Sequence, residues 1–218
     1  MQKEGSHIAL GMLVNRPHGV TPPAKALIFH GLNSSNTSSD FLICAALDAV
    51  SVKVEGNASF EPALKLLDGL RITEIMYHAP QGSGYDYIEL ENILDEVLDV
   101  TGVRFDKGID FVVPALTLQP GECVVVVADL AAFRSVYGTS PKVAGVYTGN
   151  LSNDGEKIVL LLPSPLEAAI LRFDYSNTWS PATDGGGKSL TIQDPAAPSA
   201  TWKDAESWRA SDPTPGRP

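Results

Sequence analysis

The sequence predicts an all-β chain folded as an antiparallel β-sandwich with one short helix. Three observations predict it. Short apolar or alternating runs recur along the chain, Gly, Pro, Asn and Asp turn signals separate them, and only one segment carries a good helical pattern. A repeating βαβ pattern is absent, so a doubly wound α/β fold is not expected.

The elements follow in order. Ile8 to Val14 and Ala26 to Phe29 are apolar runs separated by Pro17, Pro22 and Pro23, and both are expected as strands. Asn33 to Asp40 is a polar Ser/Asn loop, and Phe41 to Leu47 fits strand or helix. Val50, Val52 and Val54 alternate with Ser51, Lys53 and Glu55, the pattern of a half-buried strand that Gly56-Asn57 ends. Asn57 to Gly69 reads as a linker or a short helical piece. The pattern changes at Leu70. Two regions are therefore expected, a β-rich segment with its linker over 1–69 and a β-sandwich over 70–218.

Arg71 to Tyr77 is a strand, followed by the turn Gln81-Gly82-Ser83-Gly84. Asp86 to Asn92 is a strand with Ile88 and Leu90 facing in and Tyr87, Glu89 and Glu91 facing out. Phe111 to Val113 is short and stops at Pro114. After the turn Pro120-Gly121, Glu122 to Ala128 is apolar throughout and reads as a central strand covered on both faces. Asp129 to Tyr137 is the helix: Asp129 can cap it, Leu130, Phe133 and Tyr137 share a face, and Gly138 can end it. Ala144 to Tyr147, Lys157 to Leu162, Ala168 to Tyr175 and Ser189 to Gln193 are the remaining strands. A hairpin turn is expected within Leu151 to Glu156, because Asn and Asp-Gly accept positive φ. Pro195 onward is tail-like, although Trp202 and Trp208 could pack back.

Composition narrows the function. The apolar fraction of 44% supports a packed core. Net charge is −10 and uneven, with 5 Lys/Arg against 6 Asp/Glu in residues 1–69 and 11 against 20 in the rest. Without a Lys/Arg cluster to displace counterions, nucleic-acid binding is not expected. Cys44 and Cys123 lie far apart among apolar neighbours, with no CxxC, and read as small buried hydrophobes whose redox state is left open. No apolar stretch is long enough for a transmembrane helix, so membrane insertion is not expected, and the first ten residues do not form a secretory signal.

Ile72-Thr73-Glu74-Ile75-Met76-Tyr77 followed by Asp86-Tyr87-Ile88-Glu89-Leu90-Glu91-Asn92 resembles the opening of bacterial members of the lamin tail domain family. Pro120-Gly121 precedes a Val-rich strand, and Gly149-Asn150-Leu151-Ser152-Asn153-Asp154-Gly155-Glu156 is the distinctive middle motif. Phe173-Asp174-Tyr175, Trp179, Asp184-Gly185-Gly186-Gly187-Lys188-Ser189-Leu190 and Trp208-Arg209-Ala210-Ser211, with Pro215-Gly216 after it, complete the ordered set. Val103 stands where the family often has an aromatic, and Cys123 where a Tyr is common. The resemblance implies an immunoglobulin-like antiparallel sandwich with no catalytic residues and no cofactor, serving as an accessory part of a larger bacterial surface or secreted protein. The stretch Asp48 to Glu61 is similar to the end of a carbohydrate-binding jelly roll, which would make residues 1–69 the remainder of a neighbouring domain.

Chemistry-bearing patterns reduce to few candidates. Ala182 to Ser189 fits a loose phosphate-loop pattern, but no buried strand precedes it and Asp194-Pro195 stops a following helix, so a turn is expected. Glu89 and Glu91 share a strand face and, with Asp86 and Asn92, could do acid/base work or hold calcium. Alternation explains them equally as a solvated face. His7, His18, His30 and His78 show no metal-ligand spacing, and no GxSxG elbow is present. Trp179, Trp202 and Trp208, with Tyr85 and Tyr87, could form a sugar-binding surface, with Trp179 expected in the core. The expected role is non-catalytic: an interaction or scaffolding module with no catalytic, cofactor or metal residues. Its partner would be a protein or neighbouring domain. A carbohydrate-binding module with a glycan partner is the alternative.

Overall fold

The computed structural model describes residues 61–217 together with two short strands at 25–26 and 44–45. The chain divides into two units, Met1–Ala58 and Ser59–Pro218. In the first, β1 (Lys25–Ala26) pairs antiparallel with β2 (Cys44–Ala45). The strands expected from Ile8 to Val14 and Val50 to Val54, and the jelly-roll likeness, lie outside the described residues.

The second unit is β-rich and opens with helix α1 (Glu61–Gly69), whose Leu66 and Leu67 are buried. From Glu61 the stretch left open as linker or helix is a helix, and the described residues hold two α-helices where one was expected. The strands follow as β3 (Leu70–Met76), β4 (Tyr87–Asn92), β5 (Leu98–Asp99), β6 (Arg104–Lys107), β7 (Ile109–Val112), β8 (Thr117–Leu118) and β9 (Cys123–Val127). After helix α2 (Leu130–Tyr137) come β10 (Val143–Val146), β11 (Thr148–Gly149), β12 (Lys157–Leu161), β13 (Ala169–Asp174), β14 (Ser189–Ile192) and β15 (Trp208–Ser211).

These strands form a six-stranded sheet in the order β10-β9-β4-β3-β14-β15, a five-stranded sheet in the order β11-β7-β6-β12-β13, and the pair β5-β8. Strand β13 packs on β3, and the ring pairs Tyr77–Tyr175 and Phe173–Trp208 also join the two large sheets. Every pairing is antiparallel except that of β10 with β9, which is parallel. The purely antiparallel expectation fails there for a simple reason. The chain leaves β9 through helix α2 and returns in the same direction, and such a crossover produces parallel neighbours.

Strand β9 is buried along its whole length, as its unbroken apolar run predicts for a strand covered on both faces. Its helix also forms as expected. The Asp129 side chain accepts a hydrogen bond from the Ala132 N–H at 2.8 Å, and Gly138, at φ 74, donates to the Arg134 carbonyl. Replacing Asp129 with alanine removes the cap and is expected to lower stability by about 1 kcal/mol, read from urea unfolding midpoints.

Two expectations about connections change. Strands β11 and β12 are not neighbours, so Leu151 to Glu156 is a crossing between distant strands of one sheet, not a hairpin. Gly155 there has φ 108 and lies against the Tyr175 carbonyl, so the position needs glycine for close approach as well as for φ. The region after Pro195 is not a tail. It makes 3-10 turns at Ser199–Lys203 and Ala205–Ser207 and then enters the sheet as β15, with Trp202 and Trp208 both buried.

Candidate functional site

Strand β4 alternates as the sequence implies, yet the face assigned to solvent is covered. Tyr87 is 0%, Glu89 2% and Glu91 8% exposed. Helix α2 covers one end of that face. Tyr87 packs there with Met76, Ala79, Val125, Val127 and Phe133, with its ring edge-on to Phe133 and Tyr137. The rest is covered by the segment that follows β15, residues 212–217, which runs across the sheet as a strap.

A β-bulge builds the acidic floor beneath this strap. Across β3 and β4, Ile72 lies opposite Leu90 and Glu74 opposite Glu89, so Thr73 is the extra residue. Two residues then face one, and Thr73 and Glu74 both reach Glu89's side of the sheet. The Thr73 hydroxyl donates to Glu89 Oε1 at 2.7 Å. The Ser189 hydroxyl, from β14, donates to Glu74. From the strap, the Thr214 N–H donates to Glu74 Oε1 at 3.1 Å and the Gly216 N–H donates to Glu89 Oε2 at 2.6 Å. Gly216 has φ 81 and sits against Pro141, which leaves no room for a side chain.

Glu91 differs. It is buried in the same row but makes no hydrogen bond or ion pair with any described residue. Arg71, opposite it on β3, turns away, giving its Nη1 to the Leu67 and Leu70 carbonyls and laying its guanidinium over the Trp202 ring. In front of Glu91 lies an open groove of about 400 Å³, walled by Thr191, Gln193, Arg209, Ser211 and Thr214. On the strap's other side, a hollow of about 320 Å³ lies between Tyr137, Pro141 and Gly216.

Burial dominates the electrostatics of this face. It raises the Glu89 carboxyl to about 7, against the donors Thr73 and Gly216 and with the Glu74 and Glu91 charges adding to the rise. Burial also raises Glu74, opposed by its hydrogen-bond donors, and Glu91, where no donor opposes it. Asp86, at the start of β4, is pushed up to about 6 by burial although the Ala79 N–H donates to it. The Tyr87 hydroxyl lies near Glu74 but outside hydrogen-bonding geometry. Burial also pushes the Cys123 thiol up, next to these carboxylates, in keeping with the expected small buried hydrophobe. The arrangement is a row of carboxyl acceptors, two of which take backbone N–H groups from the turn Thr214–Arg217. Among the described residues no three His, Cys, Asp or Glu side chains converge on a metal position.

The other candidates are placed as follows. Pro181–Thr183 is a 3-10 turn, the glycines follow, and β14 comes next, so Ala182 to Ser189 is a turn with no helix behind it. Its Lys188 pairs with Asp212 at the strap's start, at 2.6 Å. His78 lies in the bend after β3, partly exposed, with Nδ1 2.7 Å from Asp184. Trp202 and Trp208 are interior. The Trp202 indole donates to the Ile72 carbonyl and the Trp208 indole to the Trp202 carbonyl. They are thus withdrawn from the surface a sugar would stack on. Trp179, expected in the core, is partly exposed and leans on Trp208. His7, His18 and His30 lie outside the described residues. No helix among the described residues is long and apolar enough to cross a membrane.

The sequence singles out Glu89 and Glu91 of this floor but neither Glu74 nor the strap that covers it. Glu74, Glu89 and Glu91, three acidic residues on adjacent β-strands, were the available signal. No family model matches the sequence, and no curated protein or solved structure matches it.

Proposed function

We propose that this chain is a non-catalytic interaction or scaffolding module of a larger bacterial surface or secreted protein, and that its second unit is an immunoglobulin-like sandwich of the lamin tail kind. The order of the resembling motifs supports this reading. They fall in turn on β3, on β4, on the turn before β9, on the β11–β12 crossing, at the end of β13, before β14 and on β15.

One observation carries the interaction role. Strand β10 lies at the edge of the six-stranded sheet, and its Val146 is 49% exposed. Strand β11 pairs with β7, Thr148 opposite Asp110. Val112, on β7 of the other sheet, is 57% exposed. An open strand edge and exposed valines suit docking of another chain by strand addition, where main-chain bonds supply affinity and apolar contacts supply selectivity.

A phage-displayed peptide library selected on the immobilised chain tests this. Extended, β-branched peptides are expected to be enriched, and Val112→Lys with Val146→Lys is expected to weaken their binding about tenfold or more. Enrichment that ignores both substitutions would remove the edge from the proposal. Turnover of a hydrolysable substrate by the isolated chain would overturn the non-catalytic role.

A further inference from the structure

We infer that the groove under residues 212–217 is a binding site for a peptide with a Pro-Gly turn that carries a basic side chain, and that the chain's own strap occupies part of it. This deepens the interaction reading, on which it rests, by assigning a second and chemically distinct site.

The strap itself indicates the ligand class. Its hydrogen bonds to the floor come from the backbone, the N–H groups of Thr214 and Gly216, presented by a Pro-Gly turn that the Arg217 N–H closes on the Thr214 carbonyl. Its sequence, Asp212-Pro213-Thr214-Pro215-Gly216-Arg217, is proline-rich, and such segments lose little freedom on docking. The strap satisfies Glu74 and Glu89 but leaves Glu91, which is nine-tenths buried and has no partner among the described residues. The Glu91 carboxyl faces the open groove with no ion pair or hydrogen bond from a described residue, so a cationic partner placed there has no competing protein contact to displace. The groove in front of it is open, and four carboxyl groups line it (Glu74, Glu89, Glu91, Asp212) against two guanidinium groups (Arg209, Arg217). A Lys or Arg side chain entering beside Thr214 would give Glu91 its missing ion pair.

Two labelled peptides probe the site, Asp-Pro-Thr-Pro-Gly-Arg and its counterpart with Lys in place of Thr. Binding is read by fluorescence anisotropy on the full chain. Gly216→Pro removes the N–H donor and forbids φ 81, so it frees the floor from the strap. Because an internal occupant no longer competes, this variant is expected to bind the lysine peptide about tenfold tighter than the unaltered chain does. The lysine peptide is expected to bind better than the threonine peptide. Glu91→Gln should erase that preference while raising the melting temperature, two changes of opposite sense that a purely structural residue would not produce.

The proposal is overturned if Gly216→Pro keeps the buried-tryptophan fluorescence of the parent yet binds neither peptide. It is equally overturned if Glu91→Gln leaves the lysine preference intact. Should Gly216→Pro fail to fold, thermal shift of the unaltered chain with excess lysine peptide decides. A shift lost in Glu91→Gln supports the site, and an equal shift or none overturns it. The Val112 and Val146 variants report separately. Failed peptide binding beside valine-dependent selection sinks the groove alone, and valine-independent selection beside a working groove sinks the edge alone.

Discussion

Replacing Trp202 with alanine is expected to destabilise the second unit by about 3–5 kcal/mol, the range for removing a fully buried large aromatic side chain. Trp202 is wholly buried in a 3-10 turn between β14 and β15. Its indole N–H donates to the Ile72 carbonyl at 2.9 Å, and the Arg71 guanidinium lies 5.8 Å from its ring centre. The substitution therefore opens a void, strands a β3 carbonyl and uncovers a guanidinium whose Nε already lacks a partner. For a unit of this size the melting temperature should fall by roughly 10 °C or more. Trp202→Phe keeps much of the packing but loses the donor, and should fall between alanine and the parent. A melting temperature unchanged on Trp202→Ala would mean that the turn before β15 adds nothing to the fold.

Raising the pH from about 5 to 8 is expected to destabilise the protein, in the sense opposite to a salt-bridged carboxylate. Glu89 has a carboxyl held near 7 in the folded chain against an ordinary value of 4.5. Between those values the folded chain keeps a proton that the unfolded chain has released, so stability falls as pH rises through the window. Below 4.5 both states are protonated and the contribution is complete. Above 7 both are ionised and the loss levels off at about 3 kcal/mol for this one group. Glu74, Glu91 and Asp86, all raised by burial, act in the same direction. Urea unfolding at pH 5 and pH 8 measures the difference, and Glu89→Gln, which keeps an acceptor for the strap, should remove much of it. Equal stability at the two pH values would show that the strap does not keep water from Glu89.

The sequence disclosed most of the sheet framework and little of what lies on top of it. Period-two alternation marks Tyr87 to Asn92 as a strand and separates Ile88 and Leu90 from Glu89 and Glu91. It cannot reveal whether the second face meets water. That depends on helix α2 and on residues 212–217, which are remote in the chain. The bulge at Thr73 was hidden for a related reason, since Ile72 to Tyr77 is strand-like in either register and only pairing with β4 exposes the extra residue. Strands β5, β8 and β11 are two residues long, too short to carry a pattern. Strand β15 was masked by the Pro/Ser/Asp-rich stretch before it, whose turns are ordered by burial of Trp202 and not by local propensity. Helix α2 was readable because its cap, apolar face and terminating glycine are all local.

Only Tyr147 separates β10, which is bonded to β9 of one sheet, from β11, which is bonded to β7 of the other. One continuous stretch of backbone is therefore stitched into both layers. A load tending to peel the layers apart cannot open them like pages, because it must rupture bonds on both sides of that seam together. The two layers are thereby coupled mechanically through the backbone itself.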